Sequence, residues 1–268
     1  MTLDQATLAL KTTVKTALPP GLLRAVQGLR ERGKKPNEQS ENERAPFERN
    51  EVVVDGKRIY SKAEAPLIDF QIDGQGHTIL INHPIGSGTL HVIARAGTSG
   101  CRLEFGCGNR IMSNVSIYFA DSGGGWAKES VVRIGNGNLF NGNVHIMAGI
   151  CPSTRVEIGD ENLFADGIQI LGAVEHLTYN VATMARESIE RGVRIENRVW
   201  LCKETLLLNS SDIASNNIVA ARAVTTKKFA ESNTVIAGSP AKVTKRGVMW
   251  HLHTNDDYLT GAGPLPDN

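Results

Sequence analysis

The sequence is short of aromatic side chains, at 5%, and has no surplus of either charge, with 29 Lys and Arg against 28 Asp and Glu. That balance gives no reason to expect nucleic acid or an acidic polymer as partner. No apolar run approaches the ~18 residues that a membrane-spanning helix requires. Thr2 to Lys15 alternates polar and apolar residues where a signal peptide would have a continuous apolar core, and a cytoplasmic protein is expected. The cysteines, Cys101, Cys107, Cys151 and Cys202, form no Cys-x-x-Cys pair, and no histidines stand at zinc-finger spacing. They read as small hydrophobes in a reducing compartment, and no metal is expected.

Glycine, by contrast, is abundant at 27 residues, and the chain keeps a beat of six. Ile134, Phe140, Ile146, Pro152, Ile158, Phe164 and Ile170 recur at that spacing, and Ile195, Leu201, Leu207, Ile213, Val219 and Thr225 resume it. Neither an α-helix nor an alternating strand has this period. It suits a β-helix, in which each hexapeptide is a short strand plus a turn and three make one coil. The anchors point into the prism. Four residues after an anchor the inward position is small or β-branched in many repeats, as at Val144, Ile150, Val156, Ile168, Val199, Thr205 and Ala223. Gly and Asn in the turns tolerate the left-handed backbone angles of the corners.

Three parts are expected. Residues 1–46 read as two basic amphipathic helices broken at Pro19-Pro20-Gly21, then a polar linker from Gly33. Such helices either pack on the prism or make weak contact with a membrane surface. Residues 47–250 form the β-helix, with irregular early coils whose register stays open, and 251–268 form a loosely ordered tail. Two stretches interrupt the beat, 121–130 and 171–192, and read as loops leaving the prism.

Val199-Trp200-Leu201, two further hexapeptide coils, and Ala237-Gly238-Ser239-Pro240-Ala241-Lys242-Val243 resemble the C-terminal half of hexapeptide-repeat acyltransferases, nearest to sugar O-acetyltransferases of the maltose/galactoside type. The similarity covers roughly 105–250. It implies an all-β, left-handed parallel β-helix, an exception to the right-handed crossover preference. It further implies a homotrimer with its site between adjacent prisms, acetyl-CoA as donor and a carbohydrate acceptor, here expected in a surface polysaccharide.

The resemblance assigns the catalytic base to His176, at the start of the second loop. Imidazole is matched to taking a proton from an attacking hydroxyl near neutral pH. Glu175 or a loop carbonyl would fix its tautomer. Asn141 matches an acceptor-side asparagine, and Asp166 is a second candidate for an acceptor hydroxyl. Trp200 resembles the tryptophan beside the thioester, and backbone near Ala221 would bind the pantetheine arm. Lys227 and Lys242 are cations for the donor phosphates, and Lys203 or backbone N–H groups would meet the oxyanion. The chain departs from the family at Cys202, Lys203 and Ala220-Ala221-Arg222. Arg222 would either block the donor groove or turn outward and bind phosphate. Two other functions compete. A zinc site of the carbonic-anhydrase type needs three histidines, and beyond His145 and His176 no third lies nearby. A non-catalytic trimeric scaffold or sugar-binding protein is the alternative that Cys202 and Arg222 motivate.

Overall fold

The computed structural model describes residues 45–119, 127–149, 151–173, 178–185 and 192–252. The chain divides into the compact units Met1–Ala45 and Pro46–Asn268, and the second holds all the described strands. The amphipathic helices expected in 1–46 thus fall, but for the last residues of the linker, outside the described residues.

Pro46–Asn268 is a left-handed parallel β-helix whose strands form three sheets, one per face of the prism. The first face starts with Lys57–Arg58, antiparallel to Glu51–Val54, continues through Thr78–Ile81 and Arg102–Phe105, and ends with Asp212–Ile213 and Lys228–Phe229. The second face runs from Arg110–Ile111 through Leu139–Phe140, Leu163–Phe164 and Trp200–Leu201 to Ile218–Val219, and closes with the antiparallel hairpin Thr234–Gly238 and Ala241–Arg246. The third face starts at Ile68–Ile72 and Thr89–Ala94, continues through Asn114–Phe119, Val144–Met147 and Ile168–Leu171, and ends at Leu206–Leu207 and Val224–Thr225.

The six-residue beat becomes three vertical stacks. Phe105, Ile134, Ile158, Ile195 and Ile213 lie in register on the first face. Ile111, Phe140, Phe164, Leu201, Val219 and Ile236 do so on the second, and Val92, Ile117, Ile146, Ile170, Leu207 and Thr225 on the third. Nearly all are fully buried, and each large apolar side chain removed from water contributes ~1.5–3 kcal/mol. Phe140 stacks between Phe105 and Phe164, with centroids 6.2 and 4.6 Å away. The small inward positions Val144, Val156, Ile168, Val199, Thr205 and Ala223 are buried as expected, while Ile150 lies outside the described residues.

Pro152 is not an anchor. Ile146 is followed on the first face by Ile158, which stacks on Ile134 four hexapeptides away rather than three. The extra hexapeptide bulges outward with Pro152 exposed. Because the insertion is itself one repeat long, the sequence period runs through it unbroken. The early coils are also more regular than expected. Their register is fixed on the first and third faces from Glu51 and Ile68 onward, and only the second face begins with a lone bridge, Ile85 to Arg110.

The corner between the first and second faces is tied by asparagine side chains. Asn138 donates its amide to the oxygen of Asn109 at 3.0 Å and accepts from Asn162 at 3.0 Å, and all three are buried. The left-handed backbone positions beside them belong to Gly108, Gly137, Glu161 and Arg198, so these asparagines serve as hydrogen-bond rungs and not as left-handed turn residues. At the end where the chain enters the prism, Phe47 is fully buried edge-on against Phe70, centroids 5.6 Å apart. Asn50 pins that segment, donating to Pro46 and Gly74 carbonyls and accepting from the His77 N–H.

Candidate active site

Outward-facing residues differ sharply among the faces. The first carries a lattice of alternating charge, with Glu104 paired to both Arg102 and Arg133, Arg133 to Glu157, and Arg194 to Glu196 and Asp212. The second presents a half-buried apolar column, Leu139, Leu163, Trp200, Ile218 and Val235. The third presents Ile93, Tyr118, Met147 and Leu171 in register, beside a polar column of Asp69, His91, Ser116, His145 and Gln169. A charged face beside two that each carry an apolar column directs attention to the edge where those two meet.

That edge gathers five of the expected site residues. Its successive corners are Asn141-Gly142-Asn143, Ala165-Asp166-Gly167, Cys202-Lys203-Glu204 and Ala220-Ala221-Arg222, linked by the backbone bonds Gly167 N to Asn143 O, Glu204 N to Asp166 O and Arg222 N to Lys203 O. Asn141, Asp166, Lys203, Ala221 and Arg222 therefore lie along one line of solvent-exposed corners, with about 4.8 Å between neighbouring coils. Gly142 is required there, since a Cβ would come within 2.3 Å of the Asp166 Cα.

Asp166 is organised by Asn143. The backbone N–H and the side-chain amide of Asn143 both donate to Asp166 Oδ1 at 3.0 Å, and Asn143 Oδ1 accepts from Ser113 Oγ at 3.0 Å and Asn114 Nδ2 at 3.2 Å. The Asn143 N–H, foremost, and then its amide hold the Asp166 carboxyl below the usual carboxylate range, with Lys203 helping through its charge. Asn141, the acceptor-side candidate, stands exposed on the same corner two residues earlier. Two asparagines two apart look alike in sequence, and only the stacking of the next coil shows which one meets the carboxylate.

Arg222 does not obstruct the corner. Its backbone is left-handed, at φ 60°, and its side chain, 80% exposed, reaches back to Glu204 with Nε 2.6 Å from Oε2. Glu204 is held below its ordinary range chiefly by that bond. The Cys202 thiol is pushed up to about 11 by burial, which makes it a packing residue and a poor nucleophile.

The remaining expected residues fall elsewhere. Trp200 sits on the second face with its ring 6.2 Å from that of Trp250. Lys242 is on the closing hairpin opposite Ala237. Lys227 precedes the last strand of the first face, and its ammonium lies 5.6 Å from the Phe229 ring centre. His176 and Glu175 lie outside the described residues. The loop that carries them follows Leu171, at the far side of the third face from Asp166. The described part of that loop is a tight turn: Asn180 Oδ1 accepts from the Ala182 and Thr183 N–H groups, each at 3.0 Å, and the turn exposes Tyr179, Val181 and Met184. His145, half-buried on the third face, stacks on Tyr118 with centroids 4.5 Å apart, and burial pushes its pKa down. Among the described residues no group of His, Cys, Asp or Glu is placed to hold a metal ion, and no helix is long and apolar enough to cross a membrane.

No protein-family model and no curated protein matches the sequence. Solved structures do. The polySia specific acetyltransferase NeuO superposes with a TM-score of 0.53 at 18% identity, over 70% of this chain and 73% of that one. The polysialic acid O-acetyltransferase OatWY gives 0.49 at 20% identity, over 77% and 90%. This chain thus has the fold of the acetyltransferase NeuO, and its resemblance to hexapeptide-repeat acyltransferases holds at the level of architecture.

Proposed function

We propose that the protein is an O-acetyltransferase that moves the acetyl group of acetyl-CoA to a carbohydrate hydroxyl, and that it works as a homotrimer. The observation that carries this reading is the edge between the second and third faces, where Asn141, Asn143, Asp166, Lys203, Ala221 and Arg222 stand on successive corners. The fold shared with the polySia specific acetyltransferase NeuO supports it. Acyl transfer requires polar groups at the acceptor, a base, and an apolar boundary that keeps water from the thioester. The edge supplies the first, the flanking columns the last, and His176 is assigned the base.

Each residue has a role in this scheme. Asp166, kept anionic by Asn143, accepts a hydrogen bond from an acceptor hydroxyl. His176 of one subunit takes the proton of the attacking hydroxyl as its oxygen bonds to the thioester carbonyl, and Glu175 holds the ring. The tetrahedral intermediate then collapses with cleavage of the C–S bond, and the departing coenzyme A thiolate takes the proton from His176. Lys203 meets the charge that develops on the carbonyl oxygen. Backbone at Ala221 binds the pantetheine arm, for which the outward course of Arg222 leaves room. Lys227 and Lys242 serve the donor phosphates. The apolar columns on two faces are of the kind that association buries, and the charged first face stays in water. An acceptor in a capsule or lipopolysaccharide unit and a cytoplasmic site of action complete the proposal.

The test is thiol release from acetyl-CoA with a panel of sugar acceptors. Wild-type protein should release coenzyme A in an acceptor-dependent way, and His176→Ala should lower kcat about 100-fold or more. Equal rates in the two proteins would remove His176 from the mechanism. An absence of acceptor-dependent release in the wild type would favour the scaffold alternative.

A further inference from the structure

We propose that the segment following the closing hairpin is the outer wall of the donor site, and that Trp250 is the residue that holds the apolar arm of the thioester donor beside Trp200. This rests on the acetyl-CoA reading and adds to it a part of the chain that the reading does not use. After Arg246 the chain turns at Gly247, with φ +66°, and Val248 N–H donates to the Asn233 carbonyl at 3.0 Å. The segment then runs back along the outside of the second face. The Trp250 indole N–H donates to the Arg198 carbonyl at 2.8 Å, and its ring is tilted 48° to that of Trp200.

The strap does not lie flat on the face. It leaves a trough of about 410 Å³, floored by Leu139 and Leu163, walled by Trp250 and Leu252, and lined also by Arg198 and Glu161. That volume is in the range of small-molecule sites, which are mostly apolar with a few placed polar groups. A segment serving only to cover Leu139 and Leu163 would close on them. Here the indole is fixed through its polar end while its ring walls an open space, the use to which tryptophan's amphipathic shape is suited. A thioester arm needs such a dry channel, because water near the carbonyl competes with the acceptor.

Coenzyme A itself is the probe, followed by tryptophan fluorescence and calorimetry on the full chain. Wild-type protein should bind it with a change in emission. Trp250→Ala should weaken binding at least tenfold and raise KM for acetyl-CoA while kcat changes less than threefold, and Trp250→Phe should restore most of the loss. A Trp250→Ala protein that binds coenzyme A like wild type overturns the inference and leaves the acetyl-CoA reading intact. A wild type that binds none overturns that reading, and the inference with it. Should Trp250→Ala fail to fold, Leu252→Asp, at a half-exposed position on the same wall, must show the tenfold weakening; wild-type affinity there overturns the inference too.

Discussion

Asn143 touches no proposed substrate atom, yet it sets the geometry of Asp166 with two hydrogen bonds and takes two more from the coil below. Removing its side chain frees the carboxylate to rotate while leaving the backbone bond. Asn143→Ala should therefore raise KM for the acceptor about tenfold, a loss of about 1.4 kcal/mol, with little effect on KM for acetyl-CoA. Steady-state kinetics in both substrates checks this, and equal changes in the two constants would contradict it. His77 offers a second case, remote from the site. It is 2% exposed, its Nδ1 accepts the Cys101 N–H at 3.1 Å, and its Nε2 lies 3.1 Å from the Thr98 hydroxyl. Since Thr98 Oγ1 already donates to the Arg95 carbonyl, Nε2 carries the proton and the ring is neutral. Burial pushes its pKa down from 6.5 to about 4. The unfolded chain binds this proton first as pH falls, so the stability contributed is complete above pH ~6.5 and declines toward pH ~4, by roughly 3 kcal/mol in all. Urea unfolding at pH 7, 5.5 and 4 should show the decline, and His77→Gln should flatten it. An unchanged slope in the variant would locate the acid sensitivity elsewhere.

Among elements, the asparagine corner shows how far a sequence can be read. The six-residue period identifies the prism because every coil repeats the same inward stack, and Phe105, Ile111 and Ile117 already announce it. What Asn138 does is not legible, because its partners, Asn109 and Asn162, are a full coil away on either side and the pairing exists only after stacking. Pro152 keeps the beat without being an anchor for a related reason: an insertion one repeat long preserves the period while shifting the pairing by a face. That Asp166 and Lys203 stand at corners is legible from the repeat, and stacking adds that the corners form one line. The partner of Asp166 is not legible, because Asn141 and Asn143 stand two residues apart and look alike in sequence. The buried rungs should matter more than the exposed ones. Asn138→Leu removes the oxygen that accepts both the backbone N–H and the side-chain amide of Asn162, and should cost about 3 kcal/mol in urea unfolding. Asn136, on the exposed rung where its oxygen takes the Cys107 N–H at 2.9 Å, should lose less than about 1 kcal/mol as Asn136→Ala. A reversed order would refute the weight placed on the inner ladder.

For the whole molecule, the contrast among faces bears on assembly. If the second and third faces are buried between subunits, a charge placed on an outer column should dissociate the homotrimer without unfolding the prism. Leu171→Glu, on the third face beside Met147, should sediment as a monomer at concentrations where wild type is trimeric. Its melting temperature should lose the concentration dependence that linkage to assembly imposes. A monomeric wild type would contradict the proposed assembly, and with it a site shared between subunits.

Phe47 and the terminal hairpin bear on a hazard that any stack of parallel coils faces. A coil laid on another leaves its top and bottom rims as rows of unpaired amides, ready to accept an identical rim. At one end an antiparallel ribbon ends the second-face sheet, and at the other an aromatic plug pinned by Asn50 sits beside Phe70. Among the described residues, these two features obstruct the addition of an identical coil at either end. Without them, the architecture that makes each rung fit the next would equally let whole molecules join end to end into filaments.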